Sequence, residues 1–202
     1  MSTKQPLPQS PSGFVGALFG KIMEWTNSSS YRKAIYALQP VNKEHFLEIG
    51  FGTGLFAEML LSNTPDVIMA GLDPTPTMVE TANKRLNKLG FGKQIDFREG
   101  SDESINWNDK YFDGVVAIHS FQFWSKPEQT IKEISRILKP NGRIVIVFRD
   151  HSSNPPTWLP NPISRSGTEV EMAIKLLESN GFSCIEYPAM GSSRIIRANR
   201  IT

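Results

Sequence analysis

The stretch FLEIGFGTGLF, residues 46–56, places three glycines at alternate positions directly after an apolar run. Glycine weakens a regular helix or strand by about 0.5–1 kcal/mol relative to alanine, because it has more conformational freedom to lose. Gly50, Gly52 and Gly54 therefore indicate either a sharp turn of the backbone or the close approach of a ligand. The segments around this stretch decide between these two interpretations.

Apolar runs and amphipathic segments alternate from residue 45 to residue 150. Strands are predicted at 45–50, 67–73, 95–100, 112–120 and 143–150, and helices at 53–63, 75–90 and 126–142. This alternation is typical of right-handed βαβ units and a parallel sheet. A helix at 168–181 and two strands joined by a short turn at Gly191 follow, which predicts an antiparallel hairpin. The predicted fold class is α/β, a Rossmann-like doubly wound sheet of seven mostly parallel strands with a C-terminal antiparallel hairpin and helices on both faces.

The composition limits the classes of function. The chain has 202 residues, 39% of them hydrophobic, which predicts a single globular domain with a sizeable core. Its net charge of +2 is too small for a nucleic-acid partner, since such proteins usually carry a concentrated basic stripe. The single Cys184 excludes an internal disulfide and a cysteine-clustered metal site, and no metal is expected. Neither a signal peptide nor a run of about 18 apolar residues is present, so no membrane span and a cytoplasmic location are predicted.

The glycine stretch lies between the first predicted strand and its helix. In an open parallel sheet, ligands bind outside the carboxyl ends of the strands, where the strand order reverses. The free N–H groups at the start of the following helix favour such a ligand. A dinucleotide fingerprint has the spacing G-x-G-x-x-G, whereas here the third glycine comes one residue early and Leu55 fills its place. The spacing therefore weakens a dinucleotide interpretation without excluding it.

Asp73, at the end of the second predicted strand, is the second candidate ligand residue. A carboxylate about 20 residues beyond the glycine loop can accept hydrogen bonds from both hydroxyls of a ribose. The alternative is that Asp73 caps the following helix, for which aspartate is well suited. Pro74 and Met78 can supply apolar contact to an attached base.

Three segments together resemble one protein family. They are EIGFGTG followed by Asp73, then EGSDESINW at 99–107, then FDGVVAIHSFQFWSKPEQTIKEISRILKPNGRIVIV at 112–147. This combination resembles the class I S-adenosylmethionine-dependent methyltransferases, and most closely the small-molecule branch that includes quinone and sterol methyltransferases. The resemblance implies that the chain binds S-adenosylmethionine and transfers its methyl group to a small-molecule acceptor, which the sequence does not identify.

The resemblance also implies roles for the residues of the loop. Glu48 would order the glycine loop or approach the amino group of the cofactor's methionine part. Gly50, Gly52 and Gly54 would flank that part and the ribose, and Asp73 would hold the ribose hydroxyls.

Adenine is expected beside the loop after the third strand. The common pattern there is Gly-Asp-Ala, but in this sequence Ser101 precedes the acidic residue Asp102. Either of these two residues is therefore a candidate for the adenine amino group. Ile105 and Trp107 are candidates to cover the ring, and an ordinary core role for Trp107 is the alternative.

His119, at the end of the fourth predicted strand, matches the position that lines the sulfonium end of the cofactor. A base is needed only if the attacking atom of the acceptor must lose a proton. His119 is the first candidate for that base, with Tyr31, Asp150 and His151 as weaker ones. Contact with the cofactor or a packing role are the alternatives for His119.

Composition and apolar spacing predict a flexible tail at 1–12, N-terminal helices at 13–40 and a short Pro- and Ser-rich lid at 151–167. The resemblance implies that residues 41–202 form the class I methyltransferase domain. The N-terminal helices, the lid and the loop after the fourth strand are expected to form the acceptor pocket. Aromatic side chains are the candidates for its wall: Trp25, Tyr31, Phe123, Trp124 and Trp158. The alternative for Phe121 and Trp124 is that they fix their loop onto the core.

Three other functions remain to be compared with a small-molecule methyltransferase. A cofactor-binding partner subunit without catalysis would retain the same loop and the same Asp73. An NAD-dependent oxidoreductase would require the glycine spacing that Leu55 breaks. A methyltransferase acting on RNA or protein is disfavoured because the chain has no dense basic face and no appended binding domain.

Overall fold

The structure, a computed structural model, describes residues 28–149, 167–187 and 193–201. The predictions for the tail at 1–12, for the first N-terminal helix and for the lid up to residue 166 lie outside these ranges, as does the predicted turn at Gly191. Within the described ranges, no helix has the length and apolar character needed to cross a bilayer.

The described chain alternates between strands and helices. The elements are α1 (28–38), β1 (His45–Ile49), α2 (Leu55–Asn63), β2 (Ile68–Asp73), α3 (Pro76–Lys88), β3 (Ile95–Glu99), β4 (Phe112–Ile118), a 3₁₀ turn (Phe121–Phe123), α4 (Pro127–Ile137), β5 (Leu138–Arg149), α5 (Gly167–Ser179), β6 (Phe182–Tyr187) and β7 (Ser193–Arg200).

The strands form one seven-stranded sheet in the order β3-β2-β1-β4-β5-β7-β6. The pairs from β3 to β5 are parallel, whereas β7 is antiparallel to both β5 and β6. This confirms the predicted fold class, including the C-terminal hairpin. The strand order reverses between β1 and β4, so the carboxyl ends of these two strands flank the point where ligands bind in sheets of this type.

Two apolar layers cover the two faces of the sheet. On one face, buried side chains of α1, α2 and α3 pack with Phe46, Met69 and Val116. On the other face, buried side chains of α4 and α5 pack with Leu47 and Val115. Because successive side chains of a strand point to opposite faces, neighbours such as Phe46 and Leu47 supply both layers.

Helix α4 is shorter than the sequence predicts. It ends at Ile137, and Leu138 is already extended at φ −73° and ψ 139°. Pro140 disfavours the helical conformation at the residue before it, and its own nitrogen cannot donate a helical hydrogen bond. The chain therefore enters β5 at Leu138, five residues before the predicted strand.

Arg143, at 8% exposure, connects the end of α1 to the sheet. The contact lies at the amino ends of the parallel strands, opposite the carboxyl ends. Its guanidinium donates to the carbonyl oxygens of Leu38 and Gln39, the latter at 3.0 Å. It also donates to both carboxylate oxygens of Glu44, at 2.9 and 2.7 Å. The end of α1 is thereby fixed relative to β1 and β5.

Candidate functional site

The carboxyl ends of β1, β2 and β4 surround a cavity of about 410 Å³. Apolar atoms and a small number of polar groups share its wall, which is typical of small-molecule sites. The residues that line the cavity are Ile49, Gly50, Gly52, Leu72, Asp73, Pro74, Thr75, Gly100, Asp102, Ile118, His119, Ser120, Phe123 and Trp124.

Gly50 is required by the close approach of two strand ends. A Cβ atom at this position would lie 2.6 Å from the Cβ of Ser120, and the backbone has φ +77°. The N–H of Gly50 donates to the carbonyl of Leu72 at 2.7 Å, and the Ser120 hydroxyl donates to the carbonyl of Ile49 at 2.6 Å. The loop after β1 is therefore fixed to β2 on one side and to the end of β4 on the other.

Gly54 does not lie on the cavity wall, unlike Gly50 and Gly52. It is the N-cap of α2, and a Cβ atom there would lie 2.9 Å from the Cβ of Ala82 in α3. The third glycine thus serves the close packing of two helices, and the structure does not bring it to the position expected for contact with a ligand.

Asp73 is buried at 6% exposure and lines the cavity. Its Oδ2 accepts a hydrogen bond from the N–H of Gly52 at 3.0 Å, and its Oδ1 accepts one from the N–H of Thr75 at 2.9 Å. Helix α3 begins at Pro76 with Thr75 as its N-cap, so Asp73 is not the capping residue. Each carboxylate oxygen retains a second lone pair with which it can accept from a ligand.

Glu48 is a buried carboxyl in β1, at 2% exposure, and it does not line the cavity. No described residue donates a hydrogen bond to its Oε2. Burial, and after it the negative charge of Asp73, raise the pKa of Glu48 well above its ordinary value. Both causes favour the protonated form of the Glu48 carboxyl.

The structure separates the two candidates for the adenine side of the site. Ser101 is exposed, and its hydroxyl accepts from the N–H of Glu103 at 3.2 Å. Asp102 lies on the cavity wall, where its Oδ2 accepts from the hydroxyl of Thr130 at 2.6 Å. Thr130 has no signal in the sequence that would connect it with the site, because it lies within the amphipathic pattern of α4.

Ile105 and Trp107 do not lie on the cavity wall. Ile105 is buried in the core beneath α4. The indole nitrogen of Trp107 donates to Asp96 at 3.1 Å, and the guanidinium of Arg98 lies 4.3 Å from the ring centre. These positions do not match the expectation that either residue covers a bound ring. Trp107 is partly buried and packs against the core, which agrees with the alternative of an ordinary core role.

His119 lines the cavity at the end of β4 and has φ +53°, a left-handed conformation that residues other than glycine seldom adopt. Its backbone N–H donates to the carbonyl of Val147 at 2.9 Å. Its Nε2 lies 3.0 Å from the hydroxyl oxygen of Ser30 in α1, which lies 3.1 Å from that of Ser193 in β7. Nothing in the sequence connects the two serines with His119. Ser30 lies 89 residues from His119 and 163 residues from Ser193 along the chain.

The aromatic candidates are divided between the cavity wall, the core and the rest of the chain. Phe123 is on the wall and 48% exposed, whereas Trp124 is on the wall but only 7% exposed. The ring of Trp124 packs on Phe121 at 4.8 Å, so this pair also fixes the loop onto the core. Tyr31 packs near Phe56 at 6.3 Å and does not line the cavity.

Trp25, Asp150, His151 and Trp158 lie outside the described ranges. Among the described residues, no cluster of histidine, cysteine or acidic side chains could hold a metal ion.

Known proteins resemble the central part of this chain in sequence. Residues 47–146 match the protein family described as a methyltransferase domain. A demethylmenaquinone methyltransferase of Thermotoga maritima is 30% identical over 131 residues, which are 64% of this chain and 55% of that protein. An uncharacterized methyltransferase of Bacillus subtilis, YdaC, is 27% identical over 135 residues, which are 67% of this chain and 72% of that protein. The chain thus spans little more than half the length of the Thermotoga protein.

Solved structures share the fold. An S-adenosylmethionine-dependent methyltransferase of Aquifex aeolicus has a TM-score of 0.71 at 20% identity, over 84% of this chain and 88% of that one. The protein solved in complex with the Trm112 methyltransferase activator of Haloferax volcanii has a TM-score of 0.76 at 17% identity, over 92% of this chain and 94% of that one. At such identities the likeness concerns the fold alone. The family match over residues 47–146 leads to one conclusion: the chain contains a methyltransferase domain.

Proposed function

We propose that this protein transfers the methyl group of S-adenosylmethionine to a small-molecule acceptor. The observation that carries the proposal is the convergence of six residues predicted to bind the cofactor on one cavity: Gly50, Gly52, Asp73, Pro74, Asp102 and His119. They come from the ends of β1, β2 and β4 and from the loop after β3.

The residues present fit the cofactor part by part. Asp73 has a free lone pair on each oxygen for the two ribose hydroxyls. Asp102 can accept from the amino group of adenine. The bare backbone at Gly50 and Gly52 allows the methionine part to lie close.

Bound S-adenosylmethionine supplies a methyl group already activated on a sulfonium. The chain's own residues then have to orient the acceptor and keep water away, and such positioning can supply about 7–11 kcal/mol of barrier reduction. His119 is the titratable side chain at the end of β4 on the cavity wall, and we assign it either contact with the cofactor or uptake of the proton that the acceptor loses.

The acceptor is proposed to be small and apolar or planar. The cavity wall includes the buried Ile118 and Trp124 and the half-exposed Phe123, which suit an apolar ring. The name of the Thermotoga relative, demethylmenaquinone methyltransferase, describes an acceptor of this kind for that protein. A cytoplasmic location stays a prediction.

The test is calorimetric titration of the purified protein with S-adenosylmethionine, with its demethylated product S-adenosylhomocysteine, and with NAD. Micromolar binding of the first two ligands and none of NAD is expected. Binding of NAD alone would favour an oxidoreductase, and binding of neither the donor nor its product would overturn the proposal. Labelled-methyl transfer to a panel of small acceptors then separates an enzyme from a non-catalytic partner subunit.

Asp73→Ala should weaken the binding of S-adenosylhomocysteine by more than tenfold, because a buried acceptor of ligand hydrogen bonds is lost. The exposed Asp66→Ala is the matched control, and its affinity should equal that of the wild type. Circular dichroism checks the fold, since Asp73 also holds the loop after β1. An unchanged affinity of Asp73→Ala would remove the ribose assignment.

A further inference from the structure

Helix α4 carries one polar side chain on its buried face. The buried residues of the helix are Thr130, Ile131, Ile134 and Ile137, and Thr130 has an exposure of 0%. A buried hydroxyl without a partner costs about 1–3 kcal/mol, and valine has the same shape without that cost. The hydroxyl therefore calls for an explanation other than the filling of space.

The partner of the Thr130 hydroxyl is the cavity residue Asp102. The hydroxyl oxygen lies 2.6 Å from Asp102 Oδ2 and 3.2 Å from the carbonyl oxygen of Lys126. A hydroxyl has one proton to donate, and the shorter bond, to a charged acceptor, is the stronger one. Thr130 therefore fixes the rotation of the Asp102 carboxylate.

The backbone of the same loop is fixed independently by the next residue. The Glu103 carboxylate accepts hydrogen bonds from the Ser125 hydroxyl and, at 2.8 Å, from the ammonium of Lys126. The carbonyl of Glu103 accepts from the side-chain amide of Gln129 at 3.0 Å. The loop after β3 thus lies on the first turn of α4, and only the side-chain rotation of Asp102 is left for Thr130 to set.

We propose that Thr130 is a positioning residue that makes the cavity selective for a 6-aminopurine over a 6-oxopurine. It occupies Oδ2 of Asp102, so that Oδ1 is held as an acceptor for the exocyclic amino group of the base. An oxo group in the same place is itself an acceptor and would face a carboxylate oxygen without a proton between them. This inference rests on the proposed function, since it concerns the base of the proposed cofactor.

The physical reason for selectivity is that a fixed acceptor cannot adapt. A carboxylate free to rotate would turn toward water when an oxo group enters, and the mismatch would then cost little. A carboxylate held by a buried donor cannot turn away, so the unfavourable contact between its oxygen and the oxo group remains. A site built to form a hydrogen bond therefore discriminates strongly against a ligand that cannot form it.

The experiment is calorimetric titration with S-adenosylhomocysteine and with S-inosylhomocysteine, its 6-oxo analogue, for the wild type, Thr130→Val and Thr130→Ser. The wild type should prefer the amino ligand. Thr130→Val should lower that preference by about tenfold, the equivalent of about 1.4 kcal/mol. Thr130→Ser retains the hydroxyl and should retain the preference.

A double-mutant cycle with Asp102→Ala tests whether Thr130 acts through the carboxylate. Thr130→Val should have no further effect on the preference in the Asp102→Ala background. Equal losses for both ligands in Thr130→Val, an unchanged preference, or an additive cycle would each overturn the inference. Failure of the wild type to bind either ligand would instead overturn the proposed function, so the two failures can be told apart.

Discussion

At the scale of single residues, Glu48 is a buried carboxyl that destabilises the folded chain when it ionises. Its carboxyl is almost fully buried, one of its oxygens has no described partner, and Asp73 adds a second negative charge nearby. Burial and this charge both favour the protonated form and raise the pKa. In the absence of a ligand, Glu48 therefore works against folding at pH values where it must ionise.

Glu48→Gln should remove this pH dependence. With its pKa raised in the folded state, Glu48 binds its proton more tightly there than in the unfolded chain. The wild type should thus lose stability as the pH rises above about 4.5, until the raised pKa is passed. Within that window the loss is about 1.4 kcal/mol per pH unit. Urea unfolding of both proteins from pH 4 to pH 8 should show the variant gaining relative stability with pH, and a constant difference would contradict the prediction.

The residues that could be predicted from the sequence are those whose role follows from local order. Asp73 and the glycines follow apolar strands at fixed spacing, so their place at the carboxyl edge was predictable. The choice between Ser101 and Asp102 was not, because it depends on which way a loop turns. Thr130 was not predictable either, since its partner is 28 residues away and its own pattern is that of an ordinary buried helix position.

At the scale of elements, α1 is held by arginines from the far strands. Arg143 in β5 binds the last carbonyls of the helix, and Arg197 in β7 donates to the carbonyl of Ala37 at 3.2 Å. Cations at the end of a helix also interact favourably with its dipole. Since Ser30 of α1 contacts the cavity residue His119, these two contacts also fix the helix that supplies the partner of His119.

Arg143→Ala should destabilise the protein by about 3 kcal/mol, because it leaves the Glu44 carboxylate and two helix carbonyls without their donor. The matched control is Arg98→Ala, whose ion pair with Asp96 is exposed and should contribute less than about 1 kcal/mol. Urea denaturation measures both changes. Equal effects of the two substitutions would show that the buried contacts of Arg143 do not hold α1.

Element boundaries show where sequence patterns stop being informative. The periodic apolar residues of α4 predicted the helix correctly, but its end was placed at the turn-forming Asn141 and Gly142. The structure ends the helix at Ile137 because the backbone restriction imposed by Pro140 acts before the turn is reached. The hairpin of β6 and β7 was predictable, whereas the aromatic side chains after β4 were divided between core and cavity by tertiary packing.

At the scale of the whole molecule, the cavity joins elements from both halves of the sheet, so its ligand should stabilise the entire domain. S-adenosylhomocysteine at 100 times its dissociation constant adds about 2.7 kcal/mol. For a chain of this size, that corresponds to a rise in melting temperature of about 5–10 °C. Differential scanning calorimetry should show the rise for the wild type and a much smaller one for Asp73→Ala. NAD is the control ligand, and an equal rise with NAD would contradict the prediction.

The sheet order has a consequence for how the protein is made. Strand β7 follows β6 in the chain, yet it lies between β5 and β6. While the ribosome is still adding residues 193–200, β6 has no strand beside it and β5 has an open edge. The first five strands can pair as they leave the exit tunnel, but the last two must wait for translation to pass residue 200. Until then the nascent chain exposes backbone groups that a chaperone or another nascent chain could pair with.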